Sequence, residues 1–151
     1  MAARRPLPGG SLYHASKWGL EGFLDSISQE LAPFKIGVAI VEPGDARTNF
    51  RFGGAQLGTQ MDAYKGPPAA MVHTMIKDTS RLPPGDPARM AKVIIDSVDQ
   101  NPAPKRIALG SDAYGAIHKA LTDRLSALEA QREVAFFTDF PKDEHQAKQP
   151  A

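Results

Sequence analysis

Apolar positions in this chain fall into a few periodic runs separated by long stretches rich in Gly and Pro. The first run predicts a helix over residues 12–31. Tyr13, Lys17, Leu20, Leu24, Ile27 and Leu31 follow alternating steps of four and three and share one face. Tyr13 and Lys17 continue the stripe of the leucines and ought to face a pocket rather than water. A second stripe, Ala15, Gly19, Gly22 and Ser26, is made of small residues. A glycine inside a helix costs about 1 kcal/mol relative to alanine. The pair is explained either by close approach of another backbone, such as a second copy of the helix, or by a small solvent-facing surface.

Beyond Pro33, the unbroken apolar run Ile36 to Val41 predicts a strand over 36–42, covered on both faces as in a parallel sheet and stopped by Glu42-Pro43-Gly44. Residues 45–85 are weakly periodic, with a short helix near 69–77, and a connection of this length reads as a substrate lid. Met61, Met71 and Met75 within it suit an adaptable apolar surface or ordinary packing equally well. Asp86-Pro87 reads as a helix start, an acidic N-cap followed by proline in the first turn, and predicts a helix over 86–98. A strand over 106–109 and a helix over 113–132, capped by Ser111 or Asp112, complete residues 1–137; 138–151 reads as a flexible tail. Helix, strand, helix, strand, helix is an α/β order with crossovers onto a parallel sheet. Two strands do not make a self-sufficient sheet, so the chain relies on partners or is part of something larger.

Composition narrows the class. The 151 residues suit one domain, and a net charge of +1 gives no electrostatic argument for nucleic acid or membrane as a partner, so neither is expected. There is no cysteine, no apolar run near the roughly 20 residues of a membrane span, and no apolar core in the opening segment to make a secretory signal. These features read as a soluble cytoplasmic chain with no membrane partner. His14, His73, His118 and His145 show no metal spacing, so no metal site is expected; surface or capping roles suit them.

The chemistry lies in Tyr13-His14-Ala15-Ser16-Lys17. A phenol has a reference pKa near 10 and is a poor base at neutral pH. An ammonium one helical turn away stabilises the phenolate and lowers that value, so the tyrosine can exchange a proton with an alcohol oxygen. Spacing alone is common, and a core tyrosine beside a snorkelling lysine produces it too.

Context adds to the pair. Ser11 to Phe23 resembles the active-site helix of the short-chain dehydrogenase/reductase family. Pro43-Gly44-Asp45-Ala46-Arg47-Thr48 is similar to that family's P-G-x-x-x-T segment, and Arg106 to Ala113 to its last strand and turn. The resemblance covers about residues 8–132. It implies the C-terminal half of a doubly wound Rossmann-like parallel sheet whose N-terminal half is missing, and an oxidoreductase interconverting an alcohol and a carbonyl in a small-molecule substrate. It implies Tyr13 as general acid/base, Lys17 as its assistant and a ribose ligand, and Pro43, Gly44, Ala46 and Thr48 beside the nicotinamide of NAD or NADP. A homo-oligomer paired through helix 12–31 is the expected partner arrangement; a non-catalytic fragment or subunit that associates through this face is the alternative.

Departures from the family are large. No Gly-rich phosphate turn follows a strand, since Gly9-Gly10 leads directly into the helix. Counting back from Tyr13, the position of the family's catalytic serine falls before residue 1, and Ser11 does not replace it. Truncation, an upstream true start or a genuine short product all fit. Arg47 and Arg51 either meet a phosphate or acidic substrate or are solvated loop charges.

Overall fold

The computed structural model describes residues 6–78 and 80–141, with the side chains of residues 51 and 52 left aside. In chain order the elements are α1 (Ser11–Leu31), β1 (Ile40–Pro43), α2 (Met71–Lys77), α3 (Pro87–Ser97), β2 (Arg106–Leu109), α4 (Ser111–Glu129) and α5 (Arg132–Phe137). The chain divides into two compact units, Met1–Ile117 and His118–Ala151, with the boundary inside α4, whereas the sequence pattern reads as one domain to residue 137. The tail expected over 138–151 lies outside the described residues from 142 onward.

In the first unit β1 and β2 pair in parallel, with Ile40 opposite Arg106 and Pro43 opposite Leu109. Parallel neighbours need a crossover, and the segment holding α3 supplies it. Asp86 caps α3 by accepting from the Ala88 and Arg89 amides at 2.9 and 3.3 Å, with Pro87 in the first turn. The strand expected over 36–42 is shorter and shifted. Carried backward, the register sets residues 36–39 opposite 102–105, where Pro102 and Pro104 have no N–H to donate. The ladder therefore opens at Ile40, whose amide donates to the Lys105 carbonyl at 3.0 Å.

Apolar burial is slight. Ile40, Ile107, Leu109 and Ala113 are the buried apolar residues among those described, joined by Glu42 and Ser97. The expected inward stripe of α1 is only partly realised. Leu24, Ile27 and Leu31 are half-buried, whereas Tyr13, Lys17 and Leu20 are exposed. How α1 is held differs along its length: its middle turns bind Arg106 of β2 through Glu21 and Asp25, and its first turn is bonded to the entry loop. The His14 Nε2 accepts the Leu7 amide at 2.9 Å, and Gly9, at φ +83°, turns the chain against the Ala69 carbonyl, where a Cβ would not fit. His14 is thus a structural residue of the helix start.

In the second unit α4 continues to Glu129 and α5 follows. Leu121, Leu125 and Leu128, one helical stripe, are all exposed.

Candidate active site

Tyr13 and Lys17 stand one turn apart at the start of α1, and the Lys17 Nζ lies 5.7 Å from the Tyr13 ring centroid. That distance puts the ammonium over the ring face, a cation–π arrangement. Tyr13 also meets His14 edge-on at 5.8 Å between ring centroids. Lys17 forms no ion pair among the described residues, and its recorded contact is with the Tyr13 ring. Ser11, the first residue of α1, is exposed.

Pro43, Gly44, Ala46 and Thr48 run out from the carboxyl end of β1, and the chain holds this segment from three sides. The Gly44 amide continues the ladder to the Leu109 carbonyl at 2.7 Å. The Asp45 amide donates to the Asp112 Oδ2 at 2.7 Å. Gly85 closes the third side: its amide donates to the Asp45 carbonyl at 3.0 Å and its carbonyl accepts from the Arg47 amide at 2.9 Å. Residues 45–85 therefore form a loop with its two ends bonded together, containing a one-turn helix at Asp62–Tyr64 and α2.

Of the two caps the sequence offers for α4, Ser111 or Asp112, the aspartate is used elsewhere. α4 begins at Ser111, with the Tyr114 amide bonded to the Gly110 carbonyl, and the Asp112 side chain crosses to the β1 end instead of capping its own helix. It fills the space beside Gly44 so fully that a Cβ on Gly44 would overlap its carboxylate. Its Oδ1 is buried with no hydrogen-bond partner among the described residues.

Arg47 is the loop cation considered for a phosphate. Its Nε and Nη2 both donate to the Pro83 carbonyl at 3.3 Å, so it acts as a strut across the loop ends. The side chain of Arg51 lies outside those described. The Thr48 hydroxyl accepts from the Phe50 amide at 3.3 Å and is otherwise open to solvent.

The link between helix and strand is an ion cluster that no local pattern announces. Arg106, at the start of β2, bonds Glu21 at 2.7 Å through Nη1 and Asp25 at 2.8 Å through Nη2, and stands 3.7 Å from the buried Glu42. Burial pulls the guanidinium pKa down, but the Glu21 hydrogen bond and the charges of Asp25, Glu21 and Glu42 outweigh it and hold it above its ordinary value. The cluster ties the turn after Lys17 to the residue before Pro43. Among the described residues no group of three or more His, Asp or Glu could hold a metal ion, and no helix is long and apolar enough to cross a membrane.

Comparison with known proteins finds similarity to oxidoreductases. The family model described as short chain dehydrogenase matches residues 1–53. Oxidoreductase calM of Penicillium decumbens is 32% identical over 133 residues, 85% of this chain and 44% of the relative. Oxidoreductase BOA17 of Botryotinia fuckeliana is 27% identical over 135 residues, 89% of this chain and 49% of the relative. A crystal structure of a short-chain dehydrogenase from Streptomyces avermitilis superposes with a TM-score of 0.76 at 33% identity, covering 92% of this chain and 49% of that one. The chain spans about half the length of the curated relatives it matches.

Proposed function

We propose, on the premise that this chain belongs to the short-chain dehydrogenase family, that it carries the proton-transfer part of an oxidoreductase site for NAD or NADP. The reaction interconverts an alcohol and a carbonyl. Tyr13 acts as general acid/base: its hydroxyl gives a proton to the carbonyl oxygen in reduction and takes one from the alcohol in oxidation. Lys17 stabilises the phenolate that forms and offers a donor to a ribose hydroxyl. The observation that carries the reading is the solvent-open tyrosine with an ammonium 5.7 Å from its ring, on one face of one helix.

The nicotinamide, when bound, supplies or accepts the hydride at the carbon next to that oxygen. Pro43, Gly44, Ala46 and Thr48 would hold it, because they leave the carboxyl end of a parallel strand, where open α/β sheets receive ligands. The fit is good at this end: the backbone is ordered by Gly85 and Asp112, and the Thr48 hydroxyl is accessible. Residues 1–151 carry no G-x-G-x-x-G turn for a pyrophosphate.

Two measurements test the reading. In the natively produced protein, assayed with NADH and NADPH against a panel of ketones and alcohols, Tyr13→Phe should lower turnover by about 10²- to 10⁴-fold. Near-normal turnover would sink the assignment of Tyr13. Titration of NADPH fluorescence with the 151-residue chain should show weak binding, because it carries no G-x-G-x-x-G turn; tight binding would reveal another phosphate site within it.

A further inference from the structure

The catalytic role proposed for Lys17 requires that its charge reach Tyr13, and the sequence sets a competitor beside it. Glu21 lies four residues beyond Lys17, one turn along the same side of α1. A carboxylate there pairs readily with a lysine at that spacing, and a lysine held by a carboxylate stabilises a phenolate less. In the structure the pairing does not occur. The Glu21 carboxylate is taken by Arg106 at 2.7 Å, largely buried, while Lys17 remains over the tyrosine ring.

We infer that Arg106 is a positioning residue for the proton-transfer pair: by holding Glu21 and Asp25 from the neighbouring strand, it keeps Lys17 available to Tyr13. This rests on the reading of Tyr13 and Lys17 given above. Geometry favours the arginine for the task. One guanidinium reaches Glu21 through Nη1 and Asp25 through Nη2 together, which a lysine's single nitrogen does not reproduce. Asp25 lies one further turn along α1, so the two contacts set both rotation and height of the helix against β2. The same guanidinium balances Glu42, which is buried in β1 immediately before Pro43. One residue thus serves the helix that carries the proton-transfer pair and the strand that leads into the segment proposed for the nicotinamide.

The test needs no bound cofactor. The ionisation midpoint of Tyr13 is followed in the 151-residue chain by NMR of the labelled tyrosine ring, assigned by its disappearance in Tyr13→Phe. Glu21→Gln alone should move the midpoint little, because Arg106 already holds that carboxylate. Arg106→Met should raise it by about 0.3 pH units, the size of one freed helical ion pair. The double variant Arg106→Met with Glu21→Gln should return it to the wild-type value. The decisive quantity is the non-additivity. If Glu21→Gln lowers the midpoint equally with Arg106 present and absent, simple charge at a distance explains the data and the inference is overturned. Should Arg106→Met fail to fold, Arg106→Lys keeps a cation beside Glu42 and should show the same non-additivity at reduced size; its absence overturns the inference as well. Lys17→Met separates the two claims. A Tyr13 midpoint that does not rise in that variant defeats the premise that Lys17 tunes Tyr13, whereas a rise there with additive Arg106 and Glu21 effects defeats only the role of Arg106.

Discussion

Single side chains decide how firmly the segment after β1 is held. Asp112 accepts the Asp45 amide and abuts Gly44, so it joins the ends of two strands that the chain sequence separates by a whole crossover. Asp112→Ala leaves that amide without its partner and should cost about 1–3 kcal/mol. Gly44→Ala pushes a methyl group into the carboxylate and should cost a similar amount, about 1–3 kcal/mol, through overpacking. Urea denaturation of both variants checks these values, and a Gly44→Ala chain as stable as wild type would show that the contact relaxes freely. For Arg106 the sign of the pH effect is fixed by the direction of its shift. A guanidinium held above its ordinary value contributes its stabilisation in full below the unfolded value and loses it only as pH rises through the folded one. Both lie far above neutrality, so replacing Arg106 should lower stability by the same amount at pH 6 and pH 9. Thermal melts at the two pH values measure this.

Among the elements, α3 and the end of α1 were legible because their signals are local. An acidic N-cap followed by proline is a short-range arrangement, and Asp86 makes the two bonds that arrangement implies. Asp86→Ala should cost about 1 kcal/mol, read from chemical denaturation. The α1 stripe misled because helical periodicity reports which residues share a face and is silent on how far along the helix that face is covered. Leu24 and Ile27 are half-buried while Leu20 is exposed. β1 was misjudged in extent for a related reason: an apolar run shows suitability for a strand, but pairing needs a donor opposite, and Pro102 and Pro104 have none. The small-residue stripe of α1 has open space at Gly19 and Gly22, where an added Cβ meets nothing within 4 Å. If α1 pairs with a second copy through these glycines, as we propose for the assembled protein, Gly22→Leu should weaken the association by tenfold or more, seen as a shift to smaller species in sedimentation. Unchanged association would remove that partner arrangement.

For the chain as a whole the notable quantity is how little apolar surface is covered. Four buried apolar residues among those described is a small core, while Leu12, Phe34, Ile95 and Val98 remain more than half exposed. Burial supplies most of the favourable free energy of folding, at about 25 cal/mol per Å² of apolar area. The isolated 151-residue chain should therefore melt over a broad range and bind a hydrophobic dye such as ANS at 25 °C. A sharp cooperative transition without dye binding would show that these faces are covered in solution. This agrees with a chain that spans about half the length of the relatives it matches.

Residues close in sequence were enough to predict the α/β order and to mark the Tyr13–Lys17 spacing, through periodicity and turn chemistry that act over a few residues. The roles expected of that pair and of Pro43 to Thr48 came from the family resemblance instead. Folding alone brought Arg106 to Glu21 and Asp25 on a helix more than 80 residues earlier, and Asp112 to Asp45. Such contacts depend on strand register and on where a helix docks, and neither quantity is encoded in any short window of the chain. The Tyr13–Lys17 spacing was readable from its own helix, whereas the arginine that holds Glu21 and Asp25 of that helix lies on the second strand.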